Sequence, residues 1–141
     1  MRVCRPVLRR RITTDERLTI SGDRPLRKHD QRTGLGLIIS TYNARSLTND
    51  VMLNQLMDEK RKIKCDILGV CETRRKKHLE AKWKDGSYIT LGEGSGFRSI
   101  SGIGFVVSSE WSSKVIECTL HSSRTGTLLI SIGDSRTLKI I

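Results

Sequence analysis

Asn43 closes the run LIISTYN, and Glu72 follows the run DILGVC and precedes Thr73-Arg74-Arg75-Lys76-Lys77. A carboxylate at the junction of an apolar strand and a basic loop is a hard-cation site beside phosphate binders. Mg²⁺ needs only one or two carboxylates, because water and substrate phosphate complete its shell. A single Glu is therefore chemically sufficient as the first protein ligand. A plainer reading of the same residues stands beside this one. A strand-end Glu is commonly solvated or ion-paired, Asn at such a place commonly caps a turn, and 74–77 reads equally as a solvated loop or an import signal.

The elements that must position the two residues are legible. Positions 37–42 form a strand candidate, and Val51, Leu53, Leu56, Met57 and Ile63 then recur at helical spacing. Thr48 and Asn49 are good caps, and Asp50 suits the positive end of the helix. Positions 66–71 are nearly continuous in apolar residues, as in a strand covered on both faces. Strand, helix and strand of this length normally make a right-handed parallel crossover. Adjacent parallel strands lie about 4.8 Å apart and end on the same side, so Asn43 and Glu72 are expected to meet at the sheet rim where open α/β folds place ligands.

Shorter strands are expected at 88–91, 102–107, 115–120, 127–132 and 137–141, with a hairpin turn at Gly133-Asp134. One crossover helix followed by strand-rich sequence predicts an α/β class of α+β sandwich type, mainly one mixed sheet. Gly92-Glu93-Gly94-Ser95-Gly96 and Gly102-Ile103-Gly104 do not make a dinucleotide fingerprint, since no amphipathic helix follows them; close backbone packing explains them. His29, His78 and His121 read as surface residues, and Trp83 and Trp111 as packing groups.

Composition bounds the partners. The 141 residues fit one domain, with a modest core built mainly of Ile, Leu and Val. Lys and Arg number 26 against 15 Asp and Glu, a net charge of +11 that favours polyanions, nucleic acid first. Residues 1–34 hold 10 basic and 4 acidic groups with little apolar periodicity, which predicts a basic, disordered arm ahead of a domain at 35–141. That arm reads as a nucleic-acid-binding or import tail, or as a leader without a role. Cys4, Cys65, Cys71 and Cys118 lack zinc-ligand spacing and read as reduced, mostly buried thiols, which points to an intracellular setting, nuclear or cytoplasmic. No apolar run approaches the ~20 residues of a membrane span, so no membrane partner is expected.

TYNARSL, then a helix, then KIKCDILGVCETRRKK, then GIGFVV resembles the endonuclease/exonuclease/phosphatase superfamily, and within it the endonuclease domains of non-LTR (LINE-type) retrotransposons; proteins called craniofacial development protein 2-like share the pattern. The resemblance covers residues 37–141. It implies a DNase I-like four-layer fold in truncated form, DNA as partner, and Mg²⁺ or Mn²⁺ as the metal, with no small-molecule cofactor. It implies that Asn43 orients phosphate or an active-site carboxylate, that Glu72 binds the metal, and that Arg45, Arg74 and Arg75 lie near the DNA backbone. The family completes its site with Tyr-Ala-Pro, Gly-Asp-x-Asn and Ser-Asp-His segments, none of which occurs in these 141 residues. The expectation is thus an amino-terminal endonuclease fragment with little activity alone, whose main sheet lacks a cover on one apolar face. The alternative is a noncatalytic basic module that binds nucleic acid by charge. A phosphoester or lipid phosphatase of the same superfamily is a third reading.

Overall fold

The computed structural model describes residues 10–12, as backbone, and 36–141. The chain runs β1 (Arg10–Ile12), β2 (Leu37–Asn43), α1 (Asp50–Ile63), β3 (Ile67–Cys71), β4 (Leu79–Lys82), β5 (Tyr88–Leu91), β6 (Ile103–Val107), α2 (Ser109–Ser112), β7 (Val115–Leu120), β8 (Gly126–Gly133) and β9 (Arg136–Ile140). Two sheets result: one of six strands in the order β1-β2-β3-β6-β5-β4, and one of three in the order β7-β8-β9. The architecture is mixed α/β, broadly α+β, with few helices.

β2 and β3 pair in parallel across α1, as the apolar pattern requires, while β3 and β6 are antiparallel. Helix α1 forms because Leu53, Leu56, Met57 and Ile63 recur on one face, where all four are buried. Asn49 Oδ1 accepts the Met52 N–H at 3.0 Å as N-cap. Lys64 ends the helix at φ 53°, returning its N–H to the Lys60 carbonyl. Asp66, expected inside the second strand, clamps its start instead: its Oδ2 accepts the Ile38 N–H at 2.7 Å and its N–H reaches the Ile38 carbonyl at 2.9 Å.

Residue parity in the strands divides the large sheet into two faces. Leu68, Val70, Ile89, Leu91 and Val106 pack under α1. Leu37, Ile67, Phe105 and Val107 face the other way, against Leu128 and Ile130 of β8 and the indole of Trp111 from α2. The expectation that one apolar face would stand uncovered is therefore corrected: the β7-β8-β9 sheet lies on it. Alternation in β8, with Gly126, Leu128 and Ile130 buried, puts those residues against the large sheet.

Three elements escaped the sequence pattern. β1 places Arg10–Ile12 antiparallel on the edge of β2, within the stretch expected to be a disordered arm; the remainder of that arm lies outside the described residues. β4 is a half-exposed edge strand with only Leu79 and Ala81 directed inward, too short for a period of two to register. α2 is a single turn fixed by burial of Trp111. The hairpin at Gly133 turns on Asp134 and Ser135, both at positive φ (49° and 58°), the signature of a type I′ turn.

Candidate phosphate and cation rim

The parallel ladder ends with Tyr42 opposite Val70 and Asn43 opposite Cys71. The two chains then leave the sheet together: the Ala44 N–H donates to the Cys71 carbonyl at 3.0 Å and the Leu47 N–H to the Thr73 carbonyl at 2.8 Å. Glu72 follows Cys71 directly, so the tertiary structure brings Asn43 and Glu72 to one rim. Asn43 Oδ1 accepts the Arg45 N–H at 3.0 Å, an Asx turn that holds Arg45 at φ 60°. Because Oδ1 is committed, the amide NH₂ is the group that Asn43 offers to a ligand, and an NH₂ suits an anionic oxygen.

The Glu72 side chain is 33 % exposed, and its Oε2 accepts from Arg74 Nε at 3.2 Å. Among the described residues no group of three or more His, Cys, Asp or Glu side chains could hold a metal ion. The rim fits a cation only in the Mg²⁺ manner, with one carboxylate oxygen as protein ligand and water or phosphate oxygens as the rest.

The arginines differ in what they can do. Arg45 and Arg74 are exposed beside Asn43 and Glu72. Arg75 is half-buried: its Nη1 donates to the Leu47 carbonyl at 2.6 Å and its Nε to the Lys77 carbonyl at 3.3 Å. This guanidinium ties the loop after β2 to the loop after β3. Lys76, Lys77 and His78 are exposed around it.

Backbone strain collects here. Arg45, Glu72, Arg74 and Ser101 are non-glycine residues at φ 60°, 59°, 51° and 70°. The left-handed region costs an L-residue roughly 1–2 kcal/mol, and such residues persist where the surroundings over-determine them, characteristically at functional sites. The surroundings here are Thr73 and the chain before β6. Thr73 is fully buried; its Oγ1 donates to the Gly92 carbonyl at 3.0 Å, and its N–H to the Gly102 carbonyl at 3.1 Å. The Arg74 N–H donates to the Ser101 carbonyl at 2.8 Å. Gly102, at φ 92°, sits where a Cβ would collide with Thr73 Oγ1. Close backbone packing, expected for the glycines of 92–104, holds at Gly92, Gly94, Gly102 and Gly104, whereas Gly96 faces open space at φ 70°.

In the sequence Gly102 reads as a close-packing glycine and Thr73 only as part of the loop after Glu72, while nothing singles out Ser101. Thr73 was detectable as the one β-branched residue between Glu72 and the basic run. Ser101 depends on a contact across the sheet and carries no local signal. Cys71 is exposed rather than buried, whereas Cys65 is buried and Cys118 half-buried. Cys71 is exposed as a residue but its sulfur is partly shielded from water, donating to the Tyr42 carbonyl at 3.6 Å; this desolvation, then the neighbouring Glu72 carboxylate, raises the Cys71 thiol above its ordinary pKa. His78 and His121 lie on the surface, and Trp111 is in the core, as expected; Cys4 and His29 fall outside the described residues.

Comparison with protein-family models, curated proteins and solved structures returns no match. Among the described residues no helix is long and apolar enough to cross a membrane.

Proposed function

We propose that the rim formed by Asn43, Glu72 and Arg74 is part of a divalent-metal-dependent site for a nucleic-acid phosphodiester, of the kind found in retrotransposon endonucleases, on one side of a DNase I-like fold. The observation that carries the reading is the gathering of three strained non-glycine residues, Arg45, Arg74 and Ser101, around Asn43 and a Glu72 that is itself at φ 59°, at one end of a parallel strand pair. The net charge of +11 supports a polyanionic ligand.

Glu72 would hold Mg²⁺ or Mn²⁺, which supplies Lewis-acid polarisation of a phosphoryl oxygen when bound. Asn43 would donate its amide to a phosphate oxygen, and Arg45 and Arg74 would neutralise the neighbouring backbone charge. Arg75 acts through the loop it ties, as a positioning residue. His78, in the loop after Glu72, turns its Nε2 toward Glu80 Oε2 at 3.9 Å, and these 141 residues hold no Ser-Asp-His segment to supply a general base, so hydrolysis by this chain alone should be slow or absent.

A second reading is favoured by one observation: Glu72 is already paired with Arg74. On that reading the rim is a metal-independent basic surface that binds nucleic acid through charge. DNA-binding titrations with and without Mg²⁺ separate the two. The metal reading expects Mg²⁺ to strengthen wild-type binding at constant ionic strength and Glu72→Gln to abolish that response. Binding that is indifferent to both changes, but falls steeply with salt, would establish the charge-only surface.

A further inference from the structure

Phe97 is 103 % exposed. In a chain with two phenylalanines and 4 % aromatic residues, leaving one wholly in water is a costly use of an apolar ring. The backbone around it is built to do this. The Ser95 N–H donates to the Ile100 carbonyl at 2.7 Å and the Ile100 N–H to the Ser95 carbonyl at 3.0 Å, closing a small hairpin. Inside it the Ser99 N–H donates to the Gly96 carbonyl at 3.0 Å, so Phe97 and Arg98 are the two central residues of a β-turn. Gly96 at φ 70° permits the turn, and Gly94 lies so close to the Ser99 backbone that no Cβ could fit.

The hairpin stands on the rim itself. The Gly94 N–H donates to the Arg75 carbonyl at 2.9 Å, and Ser101 accepts from the Arg74 N–H. On its other side Ser101 Oγ and the Gly102 N–H both donate to the Ser123 carbonyl at 3.0 Å, which brings in the β7-β8 turn with exposed Arg124. The three loops that these bonds join carry the exposed cations Arg74, Lys76, Lys77, Arg98 and Arg124. Glu93 lies in the same loop; its Oε1 accepts the His78 N–H at 3.2 Å.

We propose that Phe97 is a base-stacking contact for an unpaired nucleotide, with Arg98 and Arg124 on the adjacent phosphates. Resting on the nucleic-acid reading above, the proposal extends it by naming the strand form that is bound. A protein partner needs a contiguous apolar centre, whereas among the described residues this hairpin offers just Phe97 and half-exposed Ile100, in a loop cluster that carries five exposed cations. A polyanion whose bases expose a π-face matches both features. Intact duplex offers such a face only at its ends, so a single strand is the fitting ligand.

The test uses the full chain with a fluorescent oligothymidylate and a duplex of equal length, titrated at several salt concentrations, for wild type, Phe97→Ala, Phe97→Trp and Arg98→Ala. Phe97→Ala should weaken single-strand binding roughly tenfold or more with the salt slope unchanged, and Phe97→Trp should restore it with quenching of the new indole. Arg98→Ala should reduce the salt slope by about 0.7. Since Phe97 buries nothing, equal thermal unfolding of the variants is expected and shows that the losses are local. If wild type binds strongly and Phe97→Ala binds the single strand equally well, or loses duplex to the same extent, the stacking contact is refuted while the nucleic-acid reading stands. If wild type binds neither oligonucleotide at low salt, both fail.

Discussion

Asn43 is the ladder partner of Cys71, and Glu72 is the next residue along the chain, held at φ 59°, so the two residues stand at the same end of adjacent parallel strands. No local sequence preference brings them together; the parallel register does. A shift of one residue in that register would turn every side chain of β2 to the opposite face and bury the wrong set against α1. The site and the core are therefore specified by the same pairing.

Cys71 can report the charge on Glu72. Partial desolvation of its sulfur first, and the Glu72 carboxylate second, raise the Cys71 thiol pKa. Glu72→Gln should lower it, so alkylation of Cys71 at pH about 8, followed by mass spectrometry, should accelerate. Mg²⁺ should accelerate it in wild type and leave the variant unchanged. An Mg²⁺ effect of equal size in both proteins would remove Glu72 as the ligand.

Arg75 holds two loops by two carbonyls. Its loss in Arg75→Ala should cost about 1–3 kcal/mol, the range for a charged hydrogen-bond donor serving partly buried acceptors. Lys, with one nitrogen, should restore only part. Urea unfolding midpoints for the three proteins decide this; an Arg75→Ala midpoint equal to wild type would show the contacts to be energetically silent.

Strain at the rim should be recoverable as stability. Glu72→Gly allows φ 59° without a Cβ and should stabilise the fold by about 0.5–1 kcal/mol, while removing any response of DNA binding to Mg²⁺. A destabilised Glu72→Gly would mean that the Arg74 ion pair outweighs the backbone cost.

Leu128 is fully buried between the two sheets. Leu128→Ala should cost about 2–5 kcal/mol, measured by the same urea titrations. A loss below about 1 kcal/mol would show that the small sheet contributes little to holding the large one.

Burial raises the Cys118 thiol from 9.0 to about 11. The folded state keeps its proton where the unfolded state has released it, so stability is complete below pH about 9 and falls as pH rises toward 11. Cys118→Ala should flatten that decline in denaturant midpoints taken from pH 8 to 11. A decline of the same slope in the variant would assign it to other groups.

Much of the framework was determined by the sequence alone. The apolar residues of β2, α1 and β3 repeat at strand, helix and strand periods, and Asn49 caps the start of α1 as its residue type predicts. Strands β5 and β7 span 88–91 and 115–120, the bounds expected from their β-branched and apolar residues between turn signals. Tertiary structure decided what depends on contacts between distant segments: β1 on the β2 edge, the small sheet covering the large one, and the commitment of Arg75 to carbonyls rather than to solvent. It also decided the rim, because Thr73, Ser101 and Gly102 constrain Glu72 and Arg74 only once β6 lies beside β3. Phe97 shows the same division. Its place among glycines and serines marks a turn, but its position beside the basic loop exists only because the ladder of β3, β6 and β5 carries that turn to the same end of the sheet.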